Sequence, residues 1–246
     1  MHSNTHTRRQ RARRLVSGAL LTTTLAVLPV AGLGGSAGAD TLHSRRAAPK
    51  VEHLTARTSQ PLPVYLARGD ADPVGVLQGT TEFGTIRVVL VIKQRGDWLK
   101  VRLPDRPNGT VGWIREHDVE LRTVTDAIDI DLEARSLRWT RAGELVLETP
   151  IAVGAPDTPT PTGRFYVTDL LDTPDGGAYG PYAAGVAAHS DELSEFGSGD
   201  GQIGVHGTAD PSSIGQAVSH GCVRVPNDVI EQLATSVPLG TPVTIR

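Results

Sequence analysis

Short runs in which hydrophobic and polar residues alternate dominate the chain from residue 61 onward. In residues 99–103, the three aliphatic side chains fall on one face of an extended segment, and Lys100 and Arg102 fall on the other. A period of two predicts β-strands with one buried face. Turn-forming sequences such as Arg95-Gly96-Asp97 and Pro107-Asn108-Gly109 separate these runs. Residues 61–123 are therefore predicted to form a small antiparallel β module, either a barrel or a sandwich.

The same pattern of short strands and turns resumes at residue 124 and continues to the end of the chain. One segment departs from it, because Pro226-Asn227-Asp228 provides a helix start and Pro238 a stop. An apolar stripe lies between them, formed by Val229, Ile230, Leu233 and Val237. Residues 124–246 are predicted to be a second β domain with one short helix. The predicted fold class is therefore mainly β.

Two tryptophans of the first module have different predicted environments. Trp113 is expected to pack in the core rather than to stack on a ligand. Strict alternation places Trp98 on the face of Lys100 and Arg102, unless a bulge at the start of the strand turns it inward. Both placements of Trp98 remain open.

Residues 172–202 show no clear alternation and are rich in Gly, Ala, Asp and Ser. Loops of this length in compact domains are usually functional or mobile. The segment is therefore predicted to be a lid beside a binding site, with Tyr179 and Tyr182 as candidate substrate contacts. Placement in the core or on the surface is the alternative for both tyrosines.

The first 39 residues differ from the rest in composition. Five arginines precede an apolar run over residues 15–33, and Ala37-Gly38-Ala39 follows. This order is typical of a secretory signal peptide with cleavage before Asp40. The alternative is an uncleaved membrane anchor, since about twenty apolar residues can span a bilayer. Residues 40–60 are polar without clear periodicity and are predicted to be a linker.

Cleavage at this point would leave 19 basic and 27 acidic residues, a formal charge of −8. Nucleic acid is therefore not an expected partner, and membrane contact is expected only through an uncleaved N-terminal segment. The chain has one cysteine, Cys222, so an intramolecular disulfide is excluded. A lone thiol in an exported protein is either buried or reactive.

Cys222 lies in a glycine-containing segment, residues 203–226, that also holds two histidines and an arginine. A free thiol is only roughly a few per cent ionised at neutral pH, so a useful nucleophile needs a nearby base. His220 lies two residues before Cys222 and shares its face in an extended segment, whereas His206 must arrive from a neighbouring strand or turn. From spacing alone, either histidine could be the base.

The segment resembles the catalytic signature of the L,D-transpeptidases of the YkuD type, cell-wall enzymes with a cysteine nucleophile. His206-Gly207-Thr208 corresponds to a His-Gly-Thr element, and Ser219–Arg224 corresponds to Ser-His-Gly-Cys-Val-Arg. The likeness covers about the last half of the chain, including Pro161–Phe165 and Gly240–Val243. It implies an L,D-transpeptidase-like β-sandwich for the second domain. The WLKV and GWI segments make the first module similar to a bacterial Src-homology-3-like β-barrel.

By this resemblance, Cys222 is the nucleophile and His206 is the base, with the main-chain carbonyl of Gly207 orienting the imidazole. His220 shapes the pocket, and a purely structural role is its alternative. The amides of Gly221 and Cys222 are candidates for the oxyanion hole, since a residue without Cβ allows close approach of the backbone to a substrate. Further candidate substrate contacts are Arg224, Tyr182 and Ser219.

The family forms a thioester between its cysteine and a peptidoglycan stem peptide, then transfers the acyl group to an amine; its cysteines also open and retain carbapenems. The resemblance implies an exported, wall-associated cysteine acyltransferase that needs no cofactor. An L,D-carboxypeptidase using water and a non-catalytic wall-binding protein are the alternatives.

No metal is expected, because the zinc-binding alternative with His206, His220 and Cys222 lacks the usual ligand spacings. The first module is expected to affect wall binding more than turnover, because every candidate site residue lies downstream of it.

Overall fold

The computed structural model describes residues 51–173, 177–195 and 199–246, which belong to one compact unit. The predicted signal peptide or anchor (1–39) and most of the predicted linker lie outside the described residues, as do short parts of the predicted lid. Within the described ranges, no helix is long and apolar enough to cross a bilayer.

Seven strands form the N-terminal part. Five of them build an antiparallel sheet in the order β6-β5-β4-β1-β7, and β2 and β3 form a separate hairpin. Residues 53–58, which were predicted to belong to a linker, form β1 between β4 and β7 in this sheet. The strands are β1 (His53–Thr58), β2 (Leu62–Val64), β3 (Gly75–Leu77), β4 (Arg87–Arg95), β5 (Trp98–Arg102), β6 (Val111–Arg115) and β7 (Glu120–Val124).

The two predicted hairpin turns lie where the sequence placed them, one between β4 and β5 and the other between β5 and β6. Trp98 is 5% exposed, whereas Trp113 is only half-buried. The guanidinium of Arg115 lies 3.7 Å from the centre of the Trp98 ring, and Tyr65 contacts it edge-on. Trp98 is therefore buried because its face of the sheet is covered by Arg115 and Tyr65.

Ten strands and one helix follow. The main sheet has eight strands in the order β10-β9-β8-β17-β12-β13-β14-β16, and β11 pairs with β15. The elements are β8 (Asp126–Asp131), β9 (Ser136–Arg141), β10 (Glu144–Pro150), β11 (Val153–Gly154), β12 (Gly163–Asp172), β13 (Tyr182–His189), β14 (Gln202–His206), β15 (Ala217–Ser219), β16 (Val223–Arg224), α1 (Asn227–Ser236) and β17 (Pro242–Ile245). The prediction of a mainly β fold with one short helix near the C-terminus is confirmed for the described residues.

The predicted lid contains a strand. Residues 182–189 form β13, which pairs with β12 and β14 in the interior of the main sheet. Its sequence, YAAGVAAH, is rich in alanine and glycine, which are depleted in strands, so propensity gives little signal for it. The small side chains have a packing role, because α1 lies against β13 and the buried Ala184 and Ala188 belong to the same core as its Ile230 and Leu233. The prediction of one continuous loop is therefore wrong.

The N-terminal and C-terminal parts share a hydrophobic core. The core of the N-terminal sheet includes Leu99, Val101 and Ile114, and also Tyr166 of β12 and Ala187 of β13. Tyr166 is completely buried, and its hydroxyl group has no hydrogen-bond partner among the described residues. Two residues of the main sheet therefore complete the core of the smaller sheet.

Candidate active site

Strand pairing brings His206 and Cys222 to the same edge of the main sheet. His206 ends β14, and Cys222 immediately precedes β16. The two strands run parallel, with His206 paired with Arg224. The amide nitrogen of Gly204 donates to the Sγ atom of Cys222 over 3.4 Å. His206 and Cys222 are sixteen positions apart in the chain, and only the pairing of their strands brings them together.

The imidazole of His206 has a defined orientation. Its Nδ1 atom lies 2.6 Å from the carbonyl oxygen of Gly207. Because a carbonyl oxygen only accepts hydrogen bonds, Nδ1 carries the hydrogen and the Nε2 lone pair of the neutral ring is available. The ring of Tyr179 contacts the imidazole edge-on, with centroids 4.8 Å apart. This arrangement prepares Nε2 to accept a proton.

Both candidate reactive groups are neutral at neutral pH. Burial lowers the pKa of His206 to about 4; the Gly207 hydrogen bond opposes this shift, and the Arg224 charge adds to it. Burial raises the pKa of the Cys222 thiol, although the Gly204 amide and Arg224 act in the opposite direction. The resting site therefore holds a thiol and a neutral imidazole rather than a thiolate and imidazolium pair.

The turn before Cys222 is held by Ser219. The Ser219 hydroxyl donates to the carbonyl oxygen of Cys222 over 2.5 Å and accepts from the amide of Gly221 over 3.2 Å. Gly221 has φ of +113°, and a Cβ atom there would lie 3.0 Å from Cδ1 of Ile203. A left-handed backbone with little space explains why glycine occupies this position. Ser219 is 2% exposed, so its clearest role is in shaping the turn.

The loop after His206 is anchored to the start of α1. The Oδ1 atom of Asn227 accepts from the amide of Thr208 over 2.8 Å. A Cβ atom on Gly207 would clash with this oxygen, so that the close approach requires glycine. Gly207 was predicted to act through its carbonyl alone; the structure adds a steric reason for its identity. Asn227 was identified only as a helix-start residue, because its contact with Thr208 depends on the fold.

Two cavities meet at His206 and Cys222. The smaller, about 70 Å³, is also lined by Ser190, Ser219, His220 and Arg224. The larger, about 410 Å³, extends past Tyr179 toward the N-terminal part of the chain, where Glu82 and Phe83 complete its wall. We call these the small and the large cavity. Cys222 and His206 therefore line both cavities.

The structure brings most of the predicted site residues together. Arg224 is half-buried in the small cavity, and its buried Nε atom has no hydrogen-bond partner within the described part of the chain. His220 is exposed at the same cavity. Tyr182 lies elsewhere, packed against the main core and lining a separate cavity with Asp172 and Asp228. Of the two tyrosines considered, it is Tyr179 that contacts His206.

Glu82 and Phe83 were missed by the sequence analysis. They lie about 140 residues before Cys222 in the chain, outside every motif, and only the packing of the two sheets places them at the cavity. No cluster of three or more His, Cys, Asp and Glu side chains suited to hold a metal ion occurs in residues 51–173, 177–195 and 199–246.

Comparison with known protein families gives a match over the same part of the chain. The family described as YkuD, L,D-transpeptidase catalytic domain, matches residues 125–245. The putative L,D-transpeptidase YkuD of Bacillus licheniformis is 38% identical over 123 residues, which are 50% of this chain and 67% of that protein. The protein of the same description from Bacillus subtilis (strain 168) is 37% identical over 124 residues, 50% of this chain and 68% of its own length.

Among solved structures, the catalytic domain of the E. faecium L,D-transpeptidase is 27% identical in sequence. The match covers 49% of this chain and 96% of that domain, with a TM-score of 0.35.

Proposed function

The chain belongs to the L,D-transpeptidase family represented by YkuD, and from this premise we propose that it is a cysteine acyltransferase acting on peptidoglycan stem peptides. The observation that carries the proposal is the meeting of Cys222 and His206 at two cavities, with the imidazole oriented by Gly207. Cys222 is the nucleophile, and His206 is the base.

In the first half-reaction, Sγ of Cys222 attacks the carbonyl carbon of the stem peptide while its proton moves to Nε2 of His206. Because both groups are neutral at rest, the attack requires this proton transfer to His206. The C–N bond to the terminal residue then breaks, and the imidazolium returns the proton to the departing amine. The product is a thioester on Cys222.

In the second half-reaction, an acceptor amine attacks the thioester carbonyl and gives a proton to His206. An amide bond forms, the C–S bond breaks, and the sulfur regains the proton from the imidazolium. Two cavities that both include Cys222 in their lining suit a reaction with two substrates. Water in place of the amine gives the L,D-carboxypeptidase alternative, which uses the same thioester.

The negative oxygen formed in each step requires hydrogen-bond donors. Each donor in such a site lowers the activation barrier by about 3 kcal/mol. The amides of Gly221 and Cys222 remain our candidates. The Gly221 amide already donates a hydrogen bond to the Ser219 hydroxyl. The Cys222 amide is therefore the better candidate for the oxyanion hole. In the small cavity, Arg224 is the group suited to bind a substrate carboxylate, because a guanidinium pairs with a carboxylate through two parallel hydrogen bonds.

Intact-mass spectrometry after exposure to a carbapenem tests the nucleophile. We expect one covalent adduct on the unaltered protein and none on Cys222→Ala. An unmodified wild type, or an adduct retained by Cys222→Ala, would contradict the assignment.

Product masses from a disaccharide-tetrapeptide distinguish the three candidate functions. Loss of the terminal residue with formation of a dimer indicates transpeptidation. Loss without a dimer indicates carboxypeptidase activity. No change in mass, together with sedimentation on insoluble wall, indicates a wall-binding protein.

We further propose that the protein is exported and wall-associated, that residues 1–39 are a signal peptide, and that the five-stranded N-terminal sheet belongs to a Src-homology-3-like module. The charge and hydropathy of residues 1–39 support the proposal of export, and the five-stranded antiparallel sheet supports the proposal of the module. N-terminal sequencing of protein secreted by its host tests it, and Asp40 is the expected first residue. A retained segment 15–33 in membrane-extracted protein would favour the anchor instead.

A further inference from the structure

One wall of the large cavity comes from the N-terminal part of the chain. Glu82 and Phe83 lie in the turn between β3 and β4, and they line the same cavity as His206 and Cys222. The turn is closed by its own hydrogen bonds, including those from the Thr81 amide to the Thr85 carbonyl at 2.8 Å and from the Thr85 amide to the Thr81 hydroxyl at 3.2 Å. The two lining residues are therefore presented by a defined backbone.

The turn is also tied to the main sheet. The Thr81 hydroxyl donates to Oδ1 of Asp169, a β12 residue that is only 1% exposed. This contact joins residues 88 positions apart in the chain, directly beside Glu82. The position of Glu82 and Phe83 relative to Cys222 is thus fixed by the fold.

The charges of the two cavities are opposite. Glu82 carries the only formal charge at neutral pH among the described residues that line the large cavity, because His206 is neutral and Cys222 is protonated there. Arg224 is the corresponding charged residue of the small cavity. An anionic group in a cavity lined mostly by small and apolar residues attracts a cation.

Glu82 and Phe83 together suit one kind of ligand group. Glu82 makes no ion pair with another described residue, and its exposed carboxylate can accept hydrogen bonds from an ammonium group. Phe83 is 53% exposed beside it, and its ring can cover a short aliphatic chain and attract the cation at its end. An aliphatic side chain that ends in a primary amine has both features.

We infer that Glu82 and Phe83 form a specificity-determining subsite for an amine-bearing aliphatic side chain of the peptide substrate. This inference rests on the proposed function, because it assigns the large cavity to a peptide that reacts at Cys222. It gives the N-terminal part a role in substrate selection, which the motif around Cys222 does not supply.

Two disaccharide-tetrapeptides test the subsite, one with a free side-chain amine on its diamino acid and the other with that amine N-acetylated. The measurement is kcat/KM for release of the terminal residue. An exposed ion pair contributes up to about fivefold, so we expect the unaltered protein to prefer the free amine by about three- to fivefold. The preference should shrink at about 1 M salt, since screening weakens exposed charge pairs.

Glu82→Gln should reduce this preference to less than about twofold, whereas the matched control Glu144→Gln, at an exposed position on β10, should retain it. Phe83→Ala should lower kcat/KM for both peptides. Equal rates for the two peptides with the unaltered protein, or an undiminished preference in Glu82→Gln, would overturn the inference. Failure of the unaltered protein both to release the terminal residue and to form a carbapenem adduct would instead overturn the proposed function, and this inference with it.

Discussion

The two sides of the cleft at Cys222 are built in different ways. On one side, His206, Ser219, Gly221 and Cys222 come from a short stretch of sequence, and local hydrogen bonds shape the turn before Cys222. On the other side, Glu82 and Phe83 come from a distant turn that is positioned by packing between two sheets. The reactive groups are thus encoded in one segment, whereas the space in front of them depends on the whole fold.

This difference separates two properties of the site. The tautomer of His206 and the backbone around Cys222 depend on neighbours in the chain or on adjacent strands. The volume and charge of the large cavity depend on the contact between the N-terminal and C-terminal parts. We therefore expect substitutions on the first side to change the rate of the chemical step, and substitutions in the shared core or loop contacts to change stability and substrate use.

The largest effect is expected from Tyr166→Ala, which opens a cavity in the shared core. Burial of this ring in the core that contains Leu99 and Ile114 predicts a loss of about 3–5 kcal/mol in the free energy of unfolding. Calorimetry should show one transition for both parts of the chain, shifted to lower temperature. Two separate transitions would show that the two sheets unfold independently.

Tyr166→Phe is the matched control. The Tyr166 hydroxyl is buried and has no hydrogen-bond partner among the residues that the structure describes. Its removal should therefore leave stability unchanged or slightly increase it. A large loss in this variant would mean that the hydroxyl is satisfied in solution.

The next largest effect is expected from His206→Ala, which removes the proposed base. General-base loss predicts a decrease of about 100-fold or more in the rate of acylation by a carbapenem, about 2.7 kcal/mol in barrier height. His220→Ala should lower the acylation rate by a smaller factor, since His220 is exposed at the edge of the small cavity. If stopped-flow measurements rank the two variants in the opposite order, the base assignment is wrong.

A smaller effect is expected from Arg106→Ala. The Arg106 guanidinium donates to the carbonyl oxygens of Ser190 at 2.6 Å, Leu193 at 2.9 Å and Asp200 at 2.8 Å, all in the connection between β13 and β14. Ser190 and Leu193 line the small cavity. Loss of these bonds should loosen that wall and reduce kcat/KM for the tetrapeptide by about tenfold, because small displacements of positioning groups are costly.

Arg122→Ala is the control for this variant. Arg122 is exposed, and within the described part of the chain its guanidinium forms an ion pair only with Glu120 on its own strand. This substitution should change kcat/KM by less than about twofold. A similar loss in both variants would indicate a general charge effect instead of a specific contact with the loop.

The smallest effect is expected in the pH dependence of acylation. The base is active when His206 is neutral, so the rate should fall as the pH drops through about 4 rather than through the ordinary histidine value of 6.5. Arg224 lowers the pKa of His206, although less than burial does. Arg224→Gln should therefore raise the pH at which the acylation rate falls on acidification, the acid limb of the pH profile. The shift should be less than about one pH unit, since burial is unchanged.

Arg224→Lys keeps the positive charge and should leave the limb close to its original position. Rates normalised to the plateau of each variant separate this shift from any loss of substrate binding. An acid limb near pH 6.5 in the unaltered protein would show that His206 is more solvated in solution than in the structure.

The sequence was sufficient to select the candidate reactive groups and to predict much of the secondary structure. The alternation in residues 99–103, the turns at Gly96-Asp97 and Asn108-Gly109, and the helix from Asn227 are local signals, and the structure contains all of them. β13 was not predictable in this way, because its alanines and glycine favour a strand only when α1 packs against them. β1 was missed because its strand pattern is weak without its neighbours in the sheet.

The motif around Cys222 indicated the candidate reactive residues, but spacing alone left His206 and His220 as equal candidates for the base. The pairing of β14 with β16 placed His206 beside Cys222, and burial made both groups neutral. Only the tertiary structure decided that Glu82 and Phe83 belong to the site, and that Tyr179 rather than Tyr182 contacts the imidazole. Local sequence specifies backbone conformation and reactive chemistry, whereas burial, charge environment and cavity shape arise from contacts between residues that are far apart in the chain.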